Sequence, residues 1–385
     1  MRLLYVTADP GVPVLGHKGA SVHVRGLVEA LTAAGISVAI ASPRIRFEGE
    51  RIAADVELVA IDPVLSKDYA TLSTLRRAVH EQAVQVTELA RKRGIQAIYE
   101  RFSLFSNAGA RAAEALGIPH VLEVNAPLRD EARRFRTLPH AEEAAAIESS
   151  VLATTDRVFA VSEELRGALA DDGVAPAKVE VLPNAIDPLK FPPRRRPSGA
   201  AFTIGFCGSL KPWHGIDVLL EAVRLALAEE PTLRLEIVGA GPGEELLASS
   251  DLPGLSLVRH GALTHRAAIE TMARWDVGVA PFLHVPRFYF SPLKVLEYMA
   301  TSLCVVASEL GQVGVLLGNG ERGVLVQAGN VDALAEALVA LARDPARAAA
   351  LGARGRSLVL SSFTWAGNAK RVLRALTARP TELVA

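Results

Sequence analysis

The 385-residue sequence is short of several features that would otherwise direct its interpretation. It has only two cysteines, Cys207 and Cys304, each inside an apolar strand-like run and without metal-ligand spacing. That excludes a disulfide scaffold and a thiolate metal site, and a reducing compartment fits. It has no excess charge: 42 basic residues balance 42 acidic ones. No global field therefore favours nucleic acid or an anionic membrane, and any anion site must be local. No apolar run approaches the roughly 18–20 residues that a membrane span requires. The N-terminus, MRLLYVTADPG, holds one basic residue and about five apolar ones before turn chemistry, too few for a signal h-region. These absences lead us to expect a cytoplasmic protein. Low-complexity tracts, short-period repeats and Asp-x-Asp pairs are missing as well.

What is present is a globular composition. Half the residues are hydrophobic and 22% are charged, enough apolar surface for large cores. At about 100–200 residues per domain, the length predicts two domains. Short β-branched runs alternate with longer Ala/Leu/Arg stretches of helical period, the pattern of a parallel sheet covered by helices. The first half offers RLLYVTA, SVAIAS, VELVAI, AIYER, HVLEVN, RVFAVS and VEVLPN as strands. A proline-rich, basic stretch, DPLKFPPRRRPSGAA, then reads as an exposed linker. Beyond it the alternation restarts with FTIGFCG, LRLEIVG, LSLVRHG, VGVAPF, CVVAS and GVLVQ. The expected fold class is α/β, two doubly wound Rossmann-like domains in tandem, with a ligand cleft between them. The expected boundaries are 1–197 and 198–363, with a closing helix over 364–385 that returns to the first domain. Two basic runs, Arg133-Arg134 with Arg136 and Arg194-Arg195-Arg196, read either as solvated surface or as contact with a membrane face or acidic acceptor.

Three stretches carry chemistry. DPGVPVLGHKGASVHV leaves the first strand through Gly11, Gly16 and Gly19 and enters a helix near Ala20. Free amides and the positive helix end there suit a phosphate, with Lys18 beside Gly19, although the spacing matches neither the dinucleotide fingerprint nor the P-loop. A plain surface loop is the alternative. FCGSLKPWHGIDVLLEA ends a strand at Cys207-Gly208 and places Lys211 and His214 before the next helix. Lys211, one of only eight lysines, sits where a point cation meets a diphosphate, unless it faces solvent. His214 either donates to phosphate or braces the loop.

YFSPLKVLEYMA is the third. Ser291 is a suitable N-cap and Pro292 suits the first helical position. Ser291, Lys294, Glu297 and Thr301 then recur on one face, opposite Leu293, Leu296, Met299 and Ala300. The stripe is either a surface with a Lys294–Glu297 pair worth about 0.2–0.5 kcal/mol, or the edge of a site where a carboxylate accepts from two vicinal hydroxyls.

Taken together these stretches, with RVFAVSEEL, VLPNAIDPLKF, EIVGAGPGEELL, SPLKVLEYMATSLCVVAS and FTWAGNAKRVL in order along the chain, resemble the retaining nucleotide-sugar glycosyltransferases of the GT-B fold, family 4. The resemblance implies transfer of a hexosyl group from a UDP- or GDP-sugar to an acceptor hydroxyl, without cofactor or metal. It places Glu297 on the donor ribose, the backbone at Leu293 and Lys294 on the distal phosphate or sugar, and Gly19 near the diphosphate. In the family a first glutamate stands eight residues before the second; here that position is Tyr289. The family's paired basic positions read Ser209 and His214, with Lys211 the nearest replacement. The acceptor-side motif reads LEVNAP, leaving Glu123 and Asn125, with Arg101 and His23, as the acceptor-orienting groups, or else as satisfied interior polar residues. Lys211 and the helix ends near Gly19 and Ser291 would stabilise the leaving diphosphate. A nucleotide-sugar 2-epimerase and a non-catalytic nucleotide-sugar-binding module are the rival readings.

Overall fold

The computed structural model describes residues 1–194, 201–249, 253–285 and 287–377. The chain divides into two compact units, one of Met1–Pro183 with the C-terminal segment from Trp365, the other of Asn184–Thr364. In the first, seven parallel strands run in the order β3-β2-β1-β4-β5-β6-β7. They are β1 (Arg2–Thr7), β2 (Ser37–Ser42), β3 (Glu57–Ala60), β4 (Ala97–Arg101), β5 (His120–Val124), β6 (Arg157–Ala160) and β7 (Val179–Val181). In the second, six parallel strands run in the order β10-β9-β8-β11-β12-β13. These are β8 (Thr203–Cys207), β9 (Arg234–Val238), β10 (Ser256–Gly261), β11 (Val277–Ala280), β12 (Cys304–Ser308) and β13 (Val324–Val326). Every strand expected from the sequence is present, and each sheet is doubly wound.

The strands lie between helical layers, so their central residues read as continuous apolar runs rather than alternating ones. Leu3, Leu4, Tyr5 and Val6 of β1 are fully buried, as are Ile204 and Phe206 of β8. Chain order in each sheet reverses once, at β1/β4 and at β8/β11. Such reversals open a crevice at the carboxyl ends of the two strands, where ligands of open α/β sheets bind.

The boundary differs from the expected residue 197. The chain passes to the second unit after Pro183, because residues 184–191 pack there: Ile186 and Phe191 are buried in its apolar core. Ile186 N–H also donates to Phe363 O at 2.9 Å. Of the basic run, Arg195 and Arg196 lie outside the described residues, as does the end of the closing helix from 378. Arg194 is not solvated surface: its guanidinium pairs with the buried Asp276. Arg133, Arg134 and Arg136 are exposed.

The closing helix, Trp365–Thr377, belongs to the first unit. Trp365 lies edge-on to His23, ring centroids 4.9 Å apart. Arg371 pairs with Glu180 and donates to Val181 O at 2.5 Å. No helix among the described residues is long and apolar enough to cross a membrane.

Candidate functional site

At the first reversal, β1 leads into the glycine-bearing loop and then α1 (Gly19–Ala33). The loop is folded rather than flexible. Val12, Val14 and Leu15 are buried, and the buried Arg25 donates to Val14 O at 2.8 Å and Gly16 O at 2.7 Å. Burial lowers the pKa of that guanidinium, and Glu50 and Glu29 offset part of the effect. Lys18 Nζ donates to Gly11 O at 3.0 Å, and Gly19 is exposed at the start of the helix with open space around it.

Beyond β4 and β5 the four expected acceptor residues meet in one network around Glu123, which is 1% exposed. His23 Nε2 lies 2.7 Å and Arg101 Nη1 3.3 Å from its Oε1. Asn125 Nδ2 and the Tyr99 hydroxyl also donate to the carboxylate. Burial by itself would raise the carboxyl pKa; His23 and Arg101, with the hydrogen bonds, overcome it and bring it down to about 2. The group is an ionised, fully satisfied anion at neutral pH. Burial keeps Tyr99 a phenol, its pKa held well above the usual value.

At the second reversal, β8 ends at Cys207, whose N–H donates to the Tyr298 hydroxyl at 2.7 Å. The loop that follows runs to α2 (Ile216–Glu229). Gly215 turns it with φ of 67°, and a Cβ there would stand 1.9 Å from Pro281 O, so only glycine lets the loop lie against the end of β11. Leu283 N–H donates to Trp213 O at 3.1 Å and ties the two loops together. His214 braces this turn: its Nδ1–H donates to Ser209 O, which as a carbonyl can only accept. Burial, then the nearby Lys294 charge, drives its pKa down to about 3. The ring is therefore neutral, with the lone pair on Nε2, which favours the bracing role over donation to phosphate. Ser209 and Lys211 are exposed, and Lys211 Nζ rests 4.8 Å above the Trp213 ring.

The helix of the SPLK stretch, α4, follows α3 (His265–Met272) and spans Leu293–Ala300. Ser291 does not cap it. Pro292 occupies the capping position, and Ser291 instead anchors the entry of the second unit: its Oγ accepts from Asn184 N–H at 2.8 Å and its O from Asn184 Nδ2 at 2.6 Å. The first amides of α4 thus have no side-chain cap. Nor is the polar stripe a surface. Glu297 is 7% exposed, Thr301 is fully buried and Leu293 and Lys294 are half-buried; helix Pro345–Ser362 packs on the end of α4, with Gly355 beside Met299. Arg356 of that helix donates to Ala300 O.

Two contacts organise the stripe. Glu297 Oε1 lies 2.7 Å from Nε2 of His265, the first residue of α3. Lys294 Nζ sits 4.1 Å above the Phe206 ring and 5.2 Å from that of Phe282. It is buried and meets no hydrogen-bond acceptor among the described residues. Burial brings its pKa down to about 7, with Cys207 and Glu297 pulling the other way. Tyr289, at the position where the family has its first glutamate, is buried against Phe290 with centroids 4.4 Å apart. Phe290, Phe288 and Phe282 continue edge to face from it toward Lys294.

The structure brings His23, Arg101, Glu123 and Asn125 together at one reversal and Ser209, His214, Leu293, Lys294 and Glu297 at the other. The sequence did not point to Tyr99, Phe206, Phe282 or His265. Tyr99 and Phe206 are masked as ordinary strand apolars. Of His265 the one signal is its place in HGALTH, between a strand end and a helix start.

Comparison with known proteins agrees with this architecture. Residues 17–189 match the family described as Glycosyltransferase Family 4, and residues 201–344 match that described as Glycosyl transferases group 1. The chain belongs to the family-4 glycosyltransferases, with the GT-B pair of Rossmann-like domains. It is 26% identical to a D-inositol 3-phosphate glycosyltransferase of Kribbella flavida over 89% of this chain and 86% of that protein. It is 28% identical to an alpha-maltose-1-phosphate synthase of Mycolicibacterium smegmatis over 69% and 74% of the two chains. Among solved structures, Anabaena Alr3699/HepE in complex with UDP superposes with a TM-score of 0.73 at 17% identity, covering 98% of this chain and all of that one. These matches favour a transferase over the epimerase and binding-module readings.

Proposed function

We propose that the enzyme transfers a hexosyl group from a nucleoside-diphosphate sugar to an acceptor hydroxyl, with retention of configuration and without a metal. The observation that carries this reading is Glu297: a buried carboxylate, held on one oxygen by His265, on the helix that begins beyond the reversal of the second sheet. A carboxylate fixed on one side keeps its other oxygen for a pair of vicinal hydroxyls such as a ribose presents. The HepE structures with UDP and with UDP-glucose show that a protein of this fold takes such a donor.

In the proposed step the acceptor oxygen forms its bond to the anomeric carbon as the bond from that carbon to the diphosphate breaks. The acceptor proton passes to the departing phosphate oxygen, so no side chain has to act as base. The positive groups of the second reversal, Lys294 and Lys211, with the uncapped amides of α4, stabilise the growing phosphate charge. In the first unit, the exposed Gly19 start of α1 is a second helix end with open space for an anion. Glu123 is saturated by its own donors, which leaves Arg101 and Asn125, both half-buried, as the groups that orient the acceptor hydroxyl.

Glu297→Ala tests the reading. Calorimetric titration with UDP and GDP is expected to show an affinity loss of about 10-fold or more, the equivalent of one charge-assisted hydrogen bond, with an unchanged fold by circular dichroism. Equal affinity in the variant and the parent removes the ribose role. Absence of binding and of slow donor hydrolysis across nucleotide sugars overturns the enzyme assignment to this chemistry.

A further inference from the structure

We propose that Lys294, and not the exposed Lys211, is the principal cation for the donor's diphosphate, and that its ammonium is left without a counter-ion so that the ligand supplies one. The inference rests on the nucleoside-diphosphate reading above and names the residue that reading requires.

Four observations converge. Lys294 stands in the first turn of α4, whose leading amides carry no side-chain cap. Its Nζ is buried and accepted by no oxygen among the described residues. It is held from below by aromatic faces, Phe206 at 4.1 Å and Phe282 at 5.2 Å, contacts that stabilise a cation weakly and leave its hydrogen-bonding capacity unused. Finally, Gly208 lies directly against it: a Cβ at that position would stand 2.9 Å from Nζ. The strand end thus carries no side chain beside the buried ammonium, at the crevice of the sheet reversal. Lys211, by contrast, is exposed and lies over Trp213.

A buried ammonium without a partner is costly, and a protein either neutralises such a group or pairs it. The groups that face Lys294 do neither. Glu297, one turn along α4, is engaged by His265. The Cys207 thiol at the end of β8 is pushed up to about 12 and stays neutral. His214, on the loop between them, is already neutral and raises no attraction. With its pKa brought down to about 7 by burial, Lys294 shares its proton with solvent in the free enzyme. A diphosphate arriving beside it restores the full charge, so binding draws a proton from solution above neutral pH.

The test compares the full-length protein with Lys294→Met and Lys211→Met. Methionine fills the lysine's volume between the two rings, so the fold is expected to persist, and a thermal melt checks it. Affinity for inorganic pyrophosphate, UDP and GDP is measured by titration calorimetry. UDP and GDP are titrated at about pH 8 in buffers of different ionisation enthalpy, which counts protons exchanged. We expect Lys294→Met to weaken all three ligands about 10- to 100-fold and Lys211→Met to weaken them less. The parent should take up about one proton per nucleotide, and Lys294→Met none. Equal affinities in Lys294→Met and the parent overturn the proposal and leave the donor reading standing. So does uptake that persists in Lys294→Met, which assigns the proton to His214. A parent that binds none of the three ligands overturns both.

Discussion

At the reversal of the first sheet a buried anion, Glu123, is met by four donors; at the reversal of the second the buried ammonium of Lys294 is met by no acceptor among the described residues. The two positions are equivalent in topology and opposite in electrostatics. A self-neutralised network sets geometry without attracting a charged ligand, which suits the orientation of a neutral hydroxyl acceptor. An uncompensated cation is incomplete until an anion arrives, which suits a diphosphate. Division of labour between two copies of one fold thus shows in how each treats its charge, more clearly than in the glycine patterns of the loops.

Stability is where this contrast can be broken most easily. Glu123→Ala should cost about 3–5 kcal/mol, since it leaves the buried His23 and the half-buried Arg101 without the carboxylate they meet. Lys294→Met should be neutral or stabilising, because it replaces an unpaired ammonium by an apolar chain of similar volume. Urea denaturation of the two variants reads both values, and a comparable loss in Lys294→Met would end the comparison.

The pH dependence of stability should carry the same two signatures. Glu123 has its folded pKa at about 2, below that of an unfolded glutamate, so its contribution is present above the unfolded value and is lost as pH falls toward 2. The amount is roughly 3 kcal/mol. Lys294 has a folded pKa of about 7, below that of an unfolded lysine. Between the two values the unfolded chain binds the extra proton, so stability rises with pH from about 7 toward the lysine range. Denaturation midpoints across pH should lose the alkaline rise in Lys294→Met and keep it in Glu123→Gln. A rise that survives in Lys294→Met points to another group.

Much of this was legible in the sequence, for physical reasons. Central strands buried on both faces write continuous apolar runs, while the edge strands β3 and β10, with exposed positions, were visible through their place in the alternation with helices. Residues at strand ends, such as Arg101, Glu123 and Cys207, could be placed at the crevices because a parallel sheet sends every carboxyl end to one side. What stayed hidden depends on long-range packing. Ser291 had the chemistry of an N-cap, yet its hydroxyl is taken by Asn184, 107 residues away in sequence. Glu297 and Lys294 read equally as a surface pair or as the edge of a site, because the residues that enclose them, His265, Phe206 and Phe282, lie outside their own stretch. The unit boundary was drawn at the proline-rich linker, whereas the contacts that decide it lie upstream at Asn184, Ile186 and Phe191.

His265 gives the next smaller effect. It is a positioning residue, acting through Glu297, so His265→Ala should weaken UDP or GDP by about 3- to 10-fold, less than Glu297→Ala. In the double variant the His265 change should add little, because its partner is gone. Additive losses would mean that His265 contacts the ligand itself.

The smallest effect on ligand binding is expected where the two loops look most alike, at the glycines where α1 and α2 begin. Gly215 has φ of 67° and no room for a Cβ against Pro281 O, so Gly215→Ala should destabilise by about 1–3 kcal/mol. Gly19 has open space around it and ordinary φ, so Gly19→Ala should leave stability unchanged or raise it by about 0.4–1 kcal/mol through the unfolded chain. Its absence of a side chain is then not required by folding. Gly19→Ala should weaken UDP or GDP binding severalfold with no loss in denaturation midpoint. Unchanged affinity would confine nucleotide binding to the second reversal and make the charge contrast between the two sheets complete.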